Sequence, residues 1–236
     1  MMNSATPQNN YPAGHAAAEG IETLYADDSL LVYNKPAGLL SVPGRGEDKQ
    51  DCLSRRVQQH YPDALVVHRL DMATSGLLLM ARGADMQRAL SRLFENREVH
   101  KRYVAVVDGR MHESQPARQD PGEWALIDLP IAVDWPRRPL RIIDRAHGKP
   151  SQTRWRSLCF DDTTNSTRVE LEPVTGRSHQ LRVHLQALGH PILGDRLYAP
   201  AEVQARASRL LLHAAMLAFS HPENGRAMRF DCEPGF

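Results

Sequence analysis

His68-Arg69-Leu70-Asp71-Met72-Ala73-Thr74-Ser75-Gly76, continued without a break by Leu77-Leu78-Leu79-Met80, is the stretch on which the reading of this chain turns. Its first part is rich in small and hydroxyl residues, its second is purely apolar. A short apolar run bounded by turn residues predicts a strand buried on both faces. A carboxylate beside a guanidinium, just ahead of such a strand, is held on a rigid edge. Local chemistry leaves Asp71 two roles: an Asx-turn oxygen accepting backbone N–H groups near Thr74, or a reactive acid.

Outward from that strand, residues 22–25 and 30–34 predict short strands separated by Asp27-Asp28, and 36–46 a turn-rich loop. Residues 51–60 predict a helix stopped by Pro62. A strand over 77–81 is followed by a helix over 85–96 with Met86, Leu90, Leu93 and Phe94 on one face, then a strand over 102–107. Further strands are expected at 126–133, 151–159, 168–172 and 210–219, and a helix at 179–188 ended by Gly189 and Pro191. Strands outnumber helices and do not alternate with them. That predicts α+β, with a mixed, mainly antiparallel β-sheet and flanking helices, and not a doubly wound sheet.

With 236 residues, 42% of them hydrophobic, the chain can fill one large core without a metal or disulfide staple. Cys52, Cys159 and Cys232 are isolated, which argues against a disulfide framework and a zinc site and suits a reducing cytoplasm. Residues 1–20 predict a disordered tail and lack the pattern of a secretory signal; 21–236 is expected to form a single domain. No apolar run is long enough for a membrane-spanning helix. His179, His184 and His190 invite a metal reading, but His179 and His184 are five apart, about 140° around a helix or on opposite strand faces. No metal site is expected.

The net charge of +1 argues against a nucleic-acid partner, but its distribution does not. Arg137, Arg138, Arg141, Arg145, Lys149, Arg154 and Arg156 fall in one stretch opposed only by Asp144. That is either a local basic surface or a solvated loop and strand face.

His68 to Gly76 resembles the signature of the RluA family of pseudouridine synthases, and Met72-Ala73 resembles its dual-specificity branch. Five further blocks resemble that family in its own order: Asn34-Lys35-Pro36-Ala37-Gly38, Lys101-Arg102-Tyr103-Val104, Gly148-Lys149-Pro150-Ser151-Gln152-Thr153, the run Thr175-Gly176-Arg177-Ser178-His179-Gln180-Leu181-Arg182-Val183-His184, and Leu210-Leu211-Leu212-His213-Ala214. The likeness covers roughly residues 22 to 232. It implies a catalytic domain with a central active-site cleft and no additional RNA-binding S4 domain. It implies an isomerase that breaks the bond from uracil N1 to ribose C1′, turns the base and rejoins it through C5, with no metal or organic cofactor. The implied substrates are flipped uridines in single-stranded loops of large-subunit (23S) rRNA and the anticodon arm of tRNA. No obligate protein partner is implied, and with no heptad or exposed sticky edge a monomer is expected.

By the same resemblance Asp71 matches the catalytic aspartate and Arg182 the basic residue that pairs with it. Tyr103 matches the tyrosine that stacks on uracil and takes part in deprotonating C5, and Arg69 the wedge that fills the place of the flipped base. Each also has a plainer role: turn oxygen, surface helix arginine, core tyrosine, partner of a nearby acid. Arg177 is read as a phosphate or structural contact, Lys149, Arg137 and Arg138 as RNA contacts, and Leu211 or its neighbour Leu212 as a pocket wall or ordinary strand core. A non-catalytic RNA-binding or RNA-chaperone protein on the same fold is the competing reading. The joint presence of Asp71, Tyr103 and Arg182 speaks against it. A glycoside hydrolase would need a second acid at a set distance, and a kinase a glycine-rich phosphate loop with His-Arg-Asp where this chain has His-Arg-Leu-Asp.

Overall fold

The computed structural model describes residues 20–111 and 124–236; the tail expected over 1–20 lies, apart from its last residue, outside them. The elements in order are β1 (Glu22–Ala26), β2 (Leu30–Lys35), α1 (Leu53–Gln58), β3 (Ala64–Val66), β4 (Ser75–Arg82), α2 (Ala84–Glu95), β5 (His100–Asp108), β6 (Ala125–Asp128), β7 (Ile131–Val133), β8 (Arg141–Ile143), β9 (Gln152–Asp161), β10 (Ser166–Pro173), α3 (Gln180–Ala187), α4 (Ala201–Gln204), β11 (Leu212–Ser220) and β12 (Ala227–Asp231). A ten-stranded sheet runs β1-β2-β4-β11-β5-β10-β9-β6, with β3 added to β4 and β12 to β11, while β7 and β8 form a separate hairpin. All pairings are antiparallel except β4 with β11. The α+β expectation with a mixed, mainly antiparallel sheet holds.

The parallel pairing of β4 with β11 is short, Ser75 with His213 and Gly76 with Ala214, after which β3 and β12 take over the inner edges of β4 and β11. The sheet is thus two halves joined at the start of β4. Gly76 makes the join possible: its φ is +109°, and a Cβ there would sit 2.3 Å from the Ala214 carbonyl oxygen. One core, on the β1-β2-β4 side, buries Leu77, Leu78, Leu79 and Met80 completely with Leu53, Val57 and Leu90 of α1 and α2. The other packs β5, β9 and β10 against Leu181 and Leu185 of α3. Asp71, four residues ahead of β4, therefore stands over the seam between them.

Two expectations change. The strand expected over 126–133 is broken at Leu129-Pro130: β6 pairs with β9, whereas β7 turns away to pair with β8. Proline lacks the N–H a continuous ladder needs, so the apolar run divides there. The strand expected from 210 begins at Leu212.

Candidate active site

The turn that carries Asp71 is closed by its backbone, not its side chain: the Asp71 carbonyl accepts the Thr74 N–H at 3.0 Å. The carboxylate is left for the cleft, 29% exposed. The turn is fastened from below. Ser41 Oγ donates to the Leu70 carbonyl at 2.7 Å and accepts the Leu70 N–H at 3.1 Å. Lys35, wholly buried at the end of β2, donates from Nζ to the carbonyls of Pro36, Leu39 and Met72 at 2.9, 2.8 and 3.2 Å. Burial pulls the Lys35 pKa down to about 8, against the upward pull of Asp71.

Three cavities meet at Asp71. The inner one, of about 90 Å³, is walled by Tyr103, Leu212, Arg69, Arg177 and Arg182. An outer groove of about 490 Å³ carries Arg69, Arg141 and Arg177, and a second of about 810 Å³ carries Met72, Arg196 and Leu197. Asp71 and His179 line all three, and Pro139 at the tip of the β7-β8 hairpin lines both outer ones.

The start of α3 delivers the polar groups. Gln180 locks it to β9 by donating to the Gln152 carbonyl and Thr153 Oγ1, both at 2.9 Å, while its own Oε1 accepts the Arg177 N–H and the Thr175 hydroxyl. His184, one turn on, receives a hydrogen bond from Thr153 at 2.9 Å and meets the Leu129 carbonyl at 2.9 Å. The chain enters the helix through His179 in the left-handed region, φ 58° and ψ 14°. That turns its ring toward Asp71, Nε2 lying 3.9 Å from Oδ2. Arg182 approaches the same oxygen at 3.6 Å through Nη1, but its firm partner is Asp195, with Nε to Oδ2 at 2.8 Å and Nη2 to Oδ1 at 2.6 Å. Burial works against the Arg182 charge, and the hydrogen bonds and charge of Asp195, with Asp71, outweigh it and push the pKa up. Burial, with the charge of Asp71, likewise pushes the Tyr103 phenol well above its ordinary value, so it stays protonated.

Asp71, Tyr103, Arg182, Arg69 and Arg177 are thus brought to one cavity. Leu211 is not: Leu212, opposite Ala105 in the sheet, faces the cavity, and Leu211 packs on Leu193, Ala199 and Val203 instead. Side chains alternate along a strand, so an error of one residue exchanges the two faces. Lys149 is exposed and lines none of these cavities; its backbone pairs with Ile131. The basic stretch is divided. Arg137 folds back on Asp134 at 2.7 Å and Arg138 lies over the exposed Trp135 ring at 3.4 Å, both at the hairpin tip, and only Arg141 reaches the groove. Arg154 and Arg156 pair with Glu172 and Glu170. They alternate with the buried Thr153 and Trp155, and so occupy the sheet face away from Tyr103.

Sequence reasoning missed Asp195, Tyr198 and Lys35, and considered His179 only as a metal ligand. His184 and His190 point elsewhere, His190 Nδ1 meeting the Asp108 carbonyl at 2.8 Å. Among the described residues no three His, Cys, Asp or Glu side chains are grouped to hold a metal. Nothing in the local sequence pointed to Asp195, because Arg182 was read either as the partner of Asp71 or as a surface helix arginine, and neither role asks for a second acid.

The family described as RNA pseudouridylate synthase matches residues 29–187. The dual-specificity RNA pseudouridine synthase RluA of Yersinia pestis is 50% identical over 213 residues, 90% of this chain and 98% of that relative. The protein of the same name from Escherichia coli (strain K12) is 51% identical over 213 residues, 90% of this chain and 93% of its own. Among solved structures, human RNA pseudouridylate synthase domain containing 1 superposes with a TM-score of 0.73 at 28% identity, covering 94% of this chain and 86% of its own. Its domain containing 4 counterpart gives 0.69 at 25%, covering 92% and 90%. The matched segment runs from β2 through α3 and holds Asp71, Tyr103 and Arg182 around one cavity; the chain belongs to the RNA pseudouridine synthase family of isomerases.

Proposed function

We propose that this chain converts uridines to pseudouridine in single-stranded loops of both 23S rRNA and the anticodon arm of tRNA, with Asp71 as the reacting carboxylate. The observation that carries this is a carboxylate with no hydrogen bond to its side-chain oxygens among the described residues, at the mouth of a cavity walled by Tyr103 and Leu212, beside an arginine already committed to Asp195. The cavity joins the apolar wall of Leu212 and the Tyr103 ring to the carboxylate, which suits a flat base that must be held while it is detached from its ribose.

The chemistry follows from the groups present. Cleavage of the bond from N1 to C1′ leaves an electron-poor ribose carbon, which an ionised carboxylate stabilises by adding to C1′ or by taking the 2′ proton. Arg182 sets a positive charge 3.6 Å from that carboxylate. Once C5 has joined C1′, its proton passes to solvent, and the protonated Tyr103 hydroxyl, on the wall of the cavity that holds the base, can act only as a relay that releases its own proton as it takes the one from C5. Arg69, Arg141 and Arg177 line the groove in which flanking phosphates would run, and Arg69 is placed to fill the gap the base leaves.

The use of both RNA classes is supported by the printed name of the bacterial relatives, which this chain matches over nearly their whole length. We also propose a cytoplasmic monomer with one catalytic domain over 21–236. In support, all three cysteines are free and no helix among the described residues is long and apolar enough to cross a membrane.

The test is release of tritium from C5-labelled uridine in an anticodon stem-loop and in a 23S rRNA hairpin. Release from both by wild type, and from neither by Asp71→Asn with RNA binding retained, is the expected result. Release from one RNA alone overturns dual use, and activity in Asp71→Asn overturns the role of the carboxylate.

A further inference from the structure

We propose that His179 is a positioning residue of the reaction: as a neutral imidazole it directs Nε2–H at Oδ2 of Asp71, its tautomer set by the Tyr198 hydroxyl, so that Oδ1 is the oxygen left to react. This rests on Asp71 being the reacting carboxylate.

The tautomer follows from hydrogen-bond accounting. Tyr198 Oη accepts the backbone N–H of Arg141 at 2.9 Å, a group that can only donate. The same oxygen lies 2.6 Å from His179 Nδ1. With its oxygen accepting that N–H, and with no other acceptor for its proton among the described residues, the hydroxyl donates to Nδ1 and the imidazole proton falls on Nε2. Two buried histidines of this fold show the same arrangement with the outcome fixed independently. His184 takes a hydroxyl proton from Thr153, itself accepting from Gln180, and its Nε2 meets the Leu129 carbonyl. His213 takes one from Ser75, itself accepting from Arg209, and its Nε2 meets the Cys232 carbonyl at 3.1 Å. A carbonyl cannot donate, so Nε2 carries the proton in both. At His179 the group in the place of that carbonyl is the Asp71 carboxylate.

The contacts to Asp71 are one-sided. His179 Nε2 at 3.9 Å and Arg182 Nη1 at 3.6 Å both address Oδ2. Both distances are longer than hydrogen bonds, as is usual for catalytic contacts before substrate binds. His179 is one of two residues common to all three cavities, and it holds a left-handed backbone that a side chain seldom adopts without a purpose elsewhere in the fold. A neutral N–H orients a carboxylate without discharging it, which an imidazolium would do. The charged and titratable groups facing His179 are Asp71 from the turn before β4, Arg182 from α3, Arg141 from β8, and Asp195 and Tyr198 from the segment after α3. Burial, Arg182 and Arg141 favour the neutral ring; Asp71 and Asp195 oppose them.

The experiment is the single-turnover rate of tritium release between pH 5 and 8 for wild type, His179→Gln, His179→Ala and Tyr198→Phe, on an RNA that wild type converts, with thermal melting and RNA affinity recorded for each. His179→Ala is expected to lose about 100-fold in rate, the scale of a misplaced reacting group, with RNA affinity kept. His179→Gln retains an N–H of similar reach and does not titrate, so its acid limb moves to lower pH. Tyr198→Phe keeps its ring against Arg182 and loses the proton donated to Nδ1, which makes the imidazole easier to protonate and moves the acid limb to higher pH. An acid limb at one shared pH in wild type, His179→Gln and Tyr198→Phe, or full rate in His179→Ala, overturns the proposal. A wrong assignment of substrate or of Asp71 shows itself separately, as no release by wild type or as activity in Asp71→Asn.

Discussion

Asp195 grips the Arg182 guanidinium with two hydrogen bonds, at 2.8 and 2.6 Å, in a pair whose side chains are 4% and 1% exposed. Asp71 receives only what that grip leaves over, an Nη1 at 3.6 Å. The consequence is a division of labour between two carboxylates. Asp195 neutralises and aims the arginine, and also takes the N–H groups of Leu197 and Tyr198, so it is spent on structure. Asp71 is held near a positive charge without being consumed by it.

Asp195→Asn should therefore do harm in two separable ways. A buried guanidinium that loses its paired charge costs about 3 to 5 kcal/mol, read as a lowered urea midpoint. Arg182 then turns to Asp71 as its remaining carboxylate, and the single-turnover rate falls while RNA affinity changes little. A variant as stable and as fast as wild type would mean that the Asp195 pair is dispensable.

Gly76 and Gly176 make a matched pair of tests. Both stand in sequence blocks shared with the family, but a Cβ at Gly76 meets the Ala214 carbonyl at 2.3 Å, whereas at Gly176 it meets nothing within 4 Å. Gly76→Ala is expected to lose about 3 kcal/mol or more, because neither the backbone of β11 nor the positive φ accommodates it. Gly176→Ala should stay within about 0.5 kcal/mol of wild type in the same denaturation experiment.

These cases show what the sequence carried and what it did not. Asp71, Tyr103 and Arg182 were legible because each lies inside a contiguous block whose pattern survives without knowledge of the fold. Leu211 and Leu212 could not be separated, since the choice depends on where β11 starts and hence on strand parity. The basic stretch read as one surface because charge was summed along the chain, while the pleat sends Arg154 and Arg156 to one face and the hairpin takes Arg137, Arg138 and Arg141 elsewhere. Asp195 and Tyr198 act on the site only through tertiary contacts with α3 and β8, which no local period encodes. β3, β8 and α4 are too short to leave a periodic signal, and β12 alternates only over five residues.

Two neutral histidines, the buried His213 and the half-buried His68, give the fold a defined response to acid. Burial, opposed by the Cys232 carbonyl, sets the His213 pKa at about 4, and burial with the Lys101 charge sets that of His68 at about 3. Both lie below the unfolded value near 6.5. The unfolded chain then binds these protons first, so the stabilisation is complete above about pH 6.5 and is lost as pH falls toward each native value, by about 1.4 kcal/mol per pH unit and histidine. Urea midpoints measured at pH 7 and pH 4.5 should show this loss, and His213→Gln, which does not titrate, should show less of it. An equal loss in both proteins would remove His213 from the account.

Lys35 offers the sharpest separation of shape from contact. It lies in no cavity around Asp71, and its Nζ joins the Pro36, Leu39 and Met72 carbonyls beneath the catalytic turn. Lys35→Met keeps the length of the chain and removes all three hydrogen bonds. The Met72 carbonyl still accepts the Gly38 N–H at 2.8 Å and the Pro36 carbonyl, on an exposed residue, can turn to water, but that of Leu39 is buried and loses the ammonium, at about 1 to 3 kcal/mol for a group left unsatisfied. Met72 follows Asp71 directly, so a turn released at that carbonyl lets the carboxylate drift, and a shift of about 1 Å is worth about 100-fold in rate. Because no groove side chain is altered, kcat should fall with KM for RNA nearly unchanged in the folded variant. A rise in KM at constant kcat would instead make Lys35 a support of the RNA grooves, with Asp71 held by Ser41 and the Leu70 backbone alone.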